Sequence, residues 1–198
     1  VTTSGTQQYD GVTTLSTNVT LTTTDSNVTF NDKVISDGET NRNLTIDTNG
    51  NTGTVVFGNA TADTVGVTDG YDLGVIDITG NLDLNAAIGN GETAGATSIE
   101  VSGDTNLGAD VTTSSTQTYT GAVTLSGGDR TLQGSTINFG NTLTGTGSDD
   151  LIITGALDLD GAATSIVDLS VSTTSDLGAN VTTSGTQQYD GVTTLSTN

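Results

Sequence analysis

Residues 1–18 read VTTSGTQQYDGVTTLSTN, and residues 181–198 repeat that string at all 18 positions. A third version, VTTSSTQTYTGAVTLSGG, occupies 111–128 and agrees with the first at 11 of 18 positions. The surroundings agree too. LGAD (107–110) and LGAN (177–180) lead into the second and third versions, and ITGNLDLN (78–85) corresponds to ITGALDLD (153–160). The 198 residues therefore read as a 180-residue unit made of a longer half, 1–110, and a shorter half, 111–180, with 181–198 as the start of the next identical repeat. That inequality between the halves separates two all-β folds. In a closed β-sandwich each strand has a fixed place in a shared core, so losing about three strands opens it. In a solenoid each turn rests only on its neighbours, so whole coils come and go. The shorter half lacks about 40 residues, which make about two coils of roughly 20 residues, and the whole unit makes about nine.

The apolar residues have the matching pattern. They recur as triplets with apolar ends and mostly polar centres: VTL (19–21), VTF (28–30), LTI (44–46), VGV (65–67), IDI (76–78), LDL (82–84), IEV (99–101), VTL (123–125), INF (137–139), LDL (157–159) and LSV (169–171). Period two is that of a half-buried strand. It predicts Val19, Leu21, Val28, Phe30, Leu44, Ile46, Leu157 and Leu159 facing inward, with Thr20, Thr29, Thr45 and Asp158 facing out. Thr, at 44 positions, is β-branched and suits extended backbone. Clusters such as DTNGNTG (47–53) and TGTGSDD (144–150) are turn chemistry. No stretch has a sustained helical period. The expected fold is all-β, a right-handed parallel β-helix (β-solenoid) of about nine coils per repeat.

Composition removes much chemistry. The chain has no Cys, His, Pro, Met or Trp, so it lacks an imidazole base, a thiolate nucleophile, a soft-metal site and a disulfide framework. Three Lys and Arg against 23 Asp and Glu leave a net charge of −20, which argues against a nucleic-acid surface. One of those acids, Asp190, lies in the second copy of the 18-residue string, leaving nineteen net negative charges on the unit. No apolar run is long enough for a membrane span. With no leader-like segment at its start, residue 1 reads as the interior of a longer chain.

The phrase GTQ-x-YDG followed by VTTLS, with LGAN-VTT before it, resembles the Tyr-Asp-Gly repeats of filamentous-haemagglutinin-like exoproteins, among the giant β-strand-repeat adhesins of bacteria. The likeness is carried by Gly5, Thr6, Gln7, Tyr9, Asp10 and Gly11, and again by Thr186, Gln187, Tyr189, Asp190 and Gly191. The internal copy keeps Thr116, Gln117, Tyr119 and Gly121, with Thr120 in place of the Asp. The resemblance implies a secreted, surface-attached fibre.

Tyr9, Tyr119 and Tyr189 hold the same place in each copy. As exposed rings they would touch a glycan or a neighbouring fibre; as structural rings they pack at a corner of the coil, and the structural role is the expected one. If coil lengths vary so that whole turns separate them, all three lie on one face, with Tyr9 and Tyr189 stacked roughly 43 Å apart at about 4.8 Å per coil. Loops at TNGNTG (48–53) and GNGETAG (89–95) would absorb the variation. Phe30, Phe57 and Phe139 are expected inside. TGTGSDDLI (144–152) makes Asp149 and Asp150 weak candidates for calcium, but such sites need the motif in consecutive coils, so a Gly-rich turn is preferred. Asp77, Asp83, Asp158 and Asp168 should face solvent. Among 23 acids a chance pair at glycosidase spacing is expected, so catalysis is not inferred. Lys33, in polar NDKVISDG, does not suit a buried isopeptide crosslink. Asn18, Asn27, Asn43, Asn59 and Asn180 head sequons common in any Asn/Thr-rich chain.

The sequence thus points to a structural unit of an extracellular, cell-surface filament or adhesin stalk without catalytic residues or cofactors. Its partner is itself, by axial continuation and lateral contact. The competing readings are a glycan-binding adhesin module and, more remotely, a carbohydrate-active β-helix enzyme.

Overall fold

In a computed structural model, which describes residues 1–38, 40–50, 52–66 and 71–196, the chain is a parallel β-solenoid of nine coils. Every strand pair is parallel, and the described residues contain no helix. Val67 of the VGV triplet and Asn51 of the 48–53 corner lie outside the described residues.

Each coil contributes to three ladders. The first face is a nine-stranded sheet running from Gln7–Tyr9 through Val28–Phe30, Thr54–Phe57 and Asn81–Leu84 to Val181–Thr183. The second begins with Thr13–Leu15 and Val34–Ser36. It passes through single bridges at Val65 and Ile88 to Val111–Thr112, and ends at Leu169–Val171 and Gln187–Tyr189. The third stacks Val19–Thr22, Arg42–Asp47, Leu73–Thr79, Ala96–Val101 and Gln117–Tyr119, and ends at Ser175–Leu177 and Thr193–Leu195. In coils six and seven the long strands Arg130–Phe139 and Leu151–Leu159 serve the second face with their first halves and the third with their second. The chain turns between them at Gly134 and Gly155. Gly155 has φ +149°, and a Cβ there would collide with the Gly134 carbonyl oxygen.

The alternating pattern sets which side chains enter. Leu21, Val28, Phe30, Leu44, Ile46, Leu157 and Leu159 are buried as expected, Val19 is half-buried in the first coil, and Thr20, Thr29, Thr45 and Asp158 point outward. In-register partners then place like on like. Tyr9, Phe30 and Phe57 stack with centroids 5.0 and 5.3 Å apart, and Leu84 and Leu107 continue the column. Burying one such side chain contributes about 1.5–3 kcal/mol, so a column repeated on three faces accounts for a fold with few aromatics.

Coil length varies. Gln7, Val28, Val55, Leu82, Thr105, Val123, Leu143, Ala163 and Val181 are successive partners along the first face. A coil is longest between Val28 and Leu82 and shortest between Thr105 and Val123 and between Ala163 and Val181. The surplus lies in the sequence between strands, from Asp47 to Thr54 and from Ile88 to Ala96 as expected, and also from Ser36 to Arg42 and on both sides of Val65. The expectation that the two halves differ by two coils needs correction. From residue 1 to 111 the chain crosses 14 faces, and from 111 to 181 it crosses 11, so they differ by one turn. Longer stretches between strands in coils two to four supply the rest.

Candidate functional site

The marker tyrosines do not share a face. Tyr9 is on the first, Tyr119 on the third and Tyr189 on the second. The expectation of one face, and of Tyr9 stacked under Tyr189, is overturned because the 18-residue string is divided into three near-equal pieces. VTT, QxY and TTL (VTL in the internal copy) begin at even intervals, at residues 1, 7 and 13, so each piece fits any face. In the first copy VTT lies on the third face, where Thr2 bridges Thr22. In the second it lies on the second face, against Leu132 and Gln133, and in the third copy on the first, against Ala163 and Ile166.

Each copy nevertheless builds the same corner. The tyrosine hydroxyl donates to the Oε1 of the glutamine two residues earlier, at 2.9 Å in Tyr9–Gln7, 3.1 Å in Tyr119–Gln117 and 3.2 Å in Tyr189–Gln187. The glutamine amide donates to a threonine hydroxyl four residues earlier, Thr3, Thr113 or Thr183. That hydroxyl donates to the carbonyl two residues on, in Gly5, Ser115 or Gly185. Where a further coil is stacked on top, the amide also reaches one of its carbonyls, Thr22 O at 2.9 Å or Gln133 O at 2.8 Å. Gln117 is fully buried, and its amide donates to Val111 O in its own coil and to Gln133 O in the next. Sequence reading missed this role for the glutamine. The signal was its parity, since Gln7 and Tyr9 occupy alternate positions on the same inward side.

Burial raises the phenol pKa of Tyr119, Tyr189 and Tyr9, and most strongly that of Tyr119, so the hydroxyl stays a donor. Tyr119 also stacks on Phe139 at 5.6 Å, which leaves it no ring face for a ligand. Asp10 accepts from Gln8 Nε2 and Asn31 Nδ2, and these bonds, Gln8 first, hold its carboxyl below the usual range. Asp190 accepts from Gln188. Gly121 and Gly191 pack directly over backbone of the coil below, Gly103 and Thr173 respectively, whereas a Cβ on Gly11 would meet nothing within 4 Å.

Asp149 and Asp150 spend their oxygens on protein donors. Asp149 is buried, and its Oδ2 accepts from the Thr146 hydroxyl and amide, both at 2.6 Å. The Thr146 hydroxyl bond is the main cause of its lowered pKa, with the Arg130 charge assisting. Asp150 belongs to a run of corner carboxylates that each accept an amide from the next coil: Asp110 from Thr131, Asp129 from Asp150, Asp150 from Asp168, and Asp168 from Thr186. Asp168, expected to face solvent, thus lies half-buried at a corner. Asn18, Asn27 and Asn43 perform the same duty for Asn43, Thr54 and Val75. Among the described residues no group of three or more His, Cys, Asp or Glu is arranged to hold a metal.

Outward acids do meet on the third face, where Asp158 and Asp176 are in-register partners. Partial burial, then the neighbouring Asp160 and Asp176 charges, raise the Asp158 pKa. The recess beside them holds about 350 Å³, and others described along the flank hold about 200–290 Å³. Lys33 is exposed and Arg42 pairs with Asp37 at 2.8 Å. Compared with family models, curated proteins and solved structures, the chain matches none.

The corner carboxylates give a pH expectation. Asp149 and Asp168 have lowered pKa values, Asp168 chiefly through the Thr186 amide. A depressed carboxyl contributes stability that is complete above the unfolded pKa of about 3.9 and disappears as pH falls through the folded value. Asp158 has the opposite sign and is relieved by protonation. Amide exchange across 146–151 and 168–186, corrected for intrinsic rate, should therefore accelerate below about pH 3.5 while the Asp158 strand does not. Unchanged exchange at both corners down to about pH 2 would show that these carboxylates do not hold the coils together.

Proposed function

We propose that the 180-residue unit is a length-giving element of a long, secreted, cell-surface fibre, a filament or adhesin stalk in which tandem copies continue one solenoid. The observation that carries this reading is that the 18-residue string, in its two identical copies and its variant at 111–128, is accepted on three different faces with the same corner bonds each time. A segment indifferent to its face can join one unit to the next without a register of its own. Nineteen net negative charges per unit would keep such fibres apart sideways while leaving axial contact to the core.

A glycan-binding role needs exposed aromatic rows. Tyr119 offers none, and Tyr71 is the one exposed aromatic among the described residues. The test is length. Arrays of one, two and four copies of residues 1–180, imaged by electron microscopy, should be straight rods growing by about 40 Å per copy at about 4.8 Å per coil. Beads joined by flexible links would contradict the proposal.

A further inference from the structure

The string VTTSGTQQYDGVTTLSTN begins on the third face at residue 1 and on the first face at residue 181. Between them the chain crosses 25 faces, which is eight turns and one third. The remainder is fixed by the ladders, because every strand from Gln7 to Leu195 has a named partner in the neighbouring coil or a bridge to it.

We infer that consecutive units in the fibre are turned by one face, so that the true axial period is three units and 25 coils, or about 120 Å at about 4.8 Å per coil. The inference rests on the tandem-fibre reading above. Local pairing does not oppose the shift, since VTT pairs on the third face with the coil after it in the first copy, on the second face likewise in the internal copy, and on the first face with the coil before it at 181–183, and the Thr–Gln–Tyr corner forms in all three copies.

The consequence concerns contact surfaces. In coils two to four the spacing in sequence from the second face to the third is long, from Ser36 to Arg42, from Val65 to Leu73 and from Ile88 to Ala96. The corner between those faces bears the Arg42–Asp37 pair and exposed Tyr71 and Glu92. With one face of rotation per unit, this corner of coils two to four moves to the next edge in each unit and returns after three. A second fibre lying alongside therefore meets it once per about 120 Å on any edge, and three neighbours can be met equivalently.

A single label tests this. The chain has no cysteine, so Glu92→Cys, in an exposed corner, accepts a maleimide–gold probe at one place per unit. In a rod of six labelled units, electron cryotomography should find gold every roughly 40 Å along the axis, stepping from one edge of the coil to the next, and back on the first edge at the fourth label. Gold on one edge throughout a straight rod would overturn the one-face shift and leave the fibre reading intact. Units that separate into independently oriented bodies would overturn both.

Discussion

Tyr119→Ala is expected to destabilise the fold by about 3–5 kcal/mol, the range for removing a large buried aromatic. The ring is fully buried, stacked on Phe139, and covered by coils on both sides. Its loss also leaves the Gln117 Oε1 without its phenol donor. Tyr119→Phe isolates that second part and should cost about 1–3 kcal/mol. Tyr189→Ala removes the same residue of the same motif from the last coil, where the ring is only half-buried, and should cost less than either alanine or phenylalanine at 119. Urea unfolding followed by hydrogen exchange at coils four to seven would rank the three variants. Equal effects at 119 and 189 would mean that the motif, rather than its stacking, sets the energy.

The second large effect is at the corner glycine. Gly121→Ala drives a Cβ into the Gly103 carbonyl, both of whose atoms are backbone of the coil below. One coil must shift away from the other, which costs about 1–3 kcal/mol. Gly11→Ala, in the equivalent position of the first coil, meets nothing within 4 Å and should be neutral or slightly stabilising through the unfolded chain. Gly191, the second copy of Gly11, should already be intolerant, because a Cβ there would stand 2.5 Å from the Thr173 carbonyl oxygen. Thermal unfolding of the chain carrying each variant checks this. A Gly121→Ala chain as stable as the parent would mean that the coils are less closely stacked than described.

These two effects also mark where sequence reading succeeds and stops. Alternation identifies inward residues because burial acts on each side chain separately: Phe30, Leu44, Ile46 and Leu159 need only their own strand to declare a side. The parallel solenoid follows from unequal halves, which only a stack of independent turns tolerates. Face assignment is different. Tyr9, Tyr119 and Tyr189 sit in near-identical strings yet occupy three faces, because the string divides evenly among faces and its neighbours are always similar apolar columns. The phase is set by how many faces intervene, and hence by whether a single residue between two strands, such as Val65 or Ile88, takes up a face. Corners are held by Asx carboxylates and amides accepting from the next coil, as Asp104 does from Ala122, and these leave no periodic trace. The acids follow the same rule: Asp149 and Asp150 sit at the Gly-rich turn that the sequence favours, but that they and Asp168 bond their corners is not legible in it.

The claim beneath the proposed function is that length grows in proportion to coil number. Pairs of spin labels in this cysteine-free chain measure that directly, on outward positions of the first face. Gln8 and Asn106 lie four coils apart, and Gln8 and Thr164 lie seven. Pulsed electron–electron resonance of the two doubly labelled variants should give separations of about 19 Å and about 34 Å, the second narrow in distribution, as about 4.8 Å per coil requires. Two distances that are alike, or a second distance no longer than about 20 Å, would mean a closed rather than stacked arrangement and would contradict the fibre account.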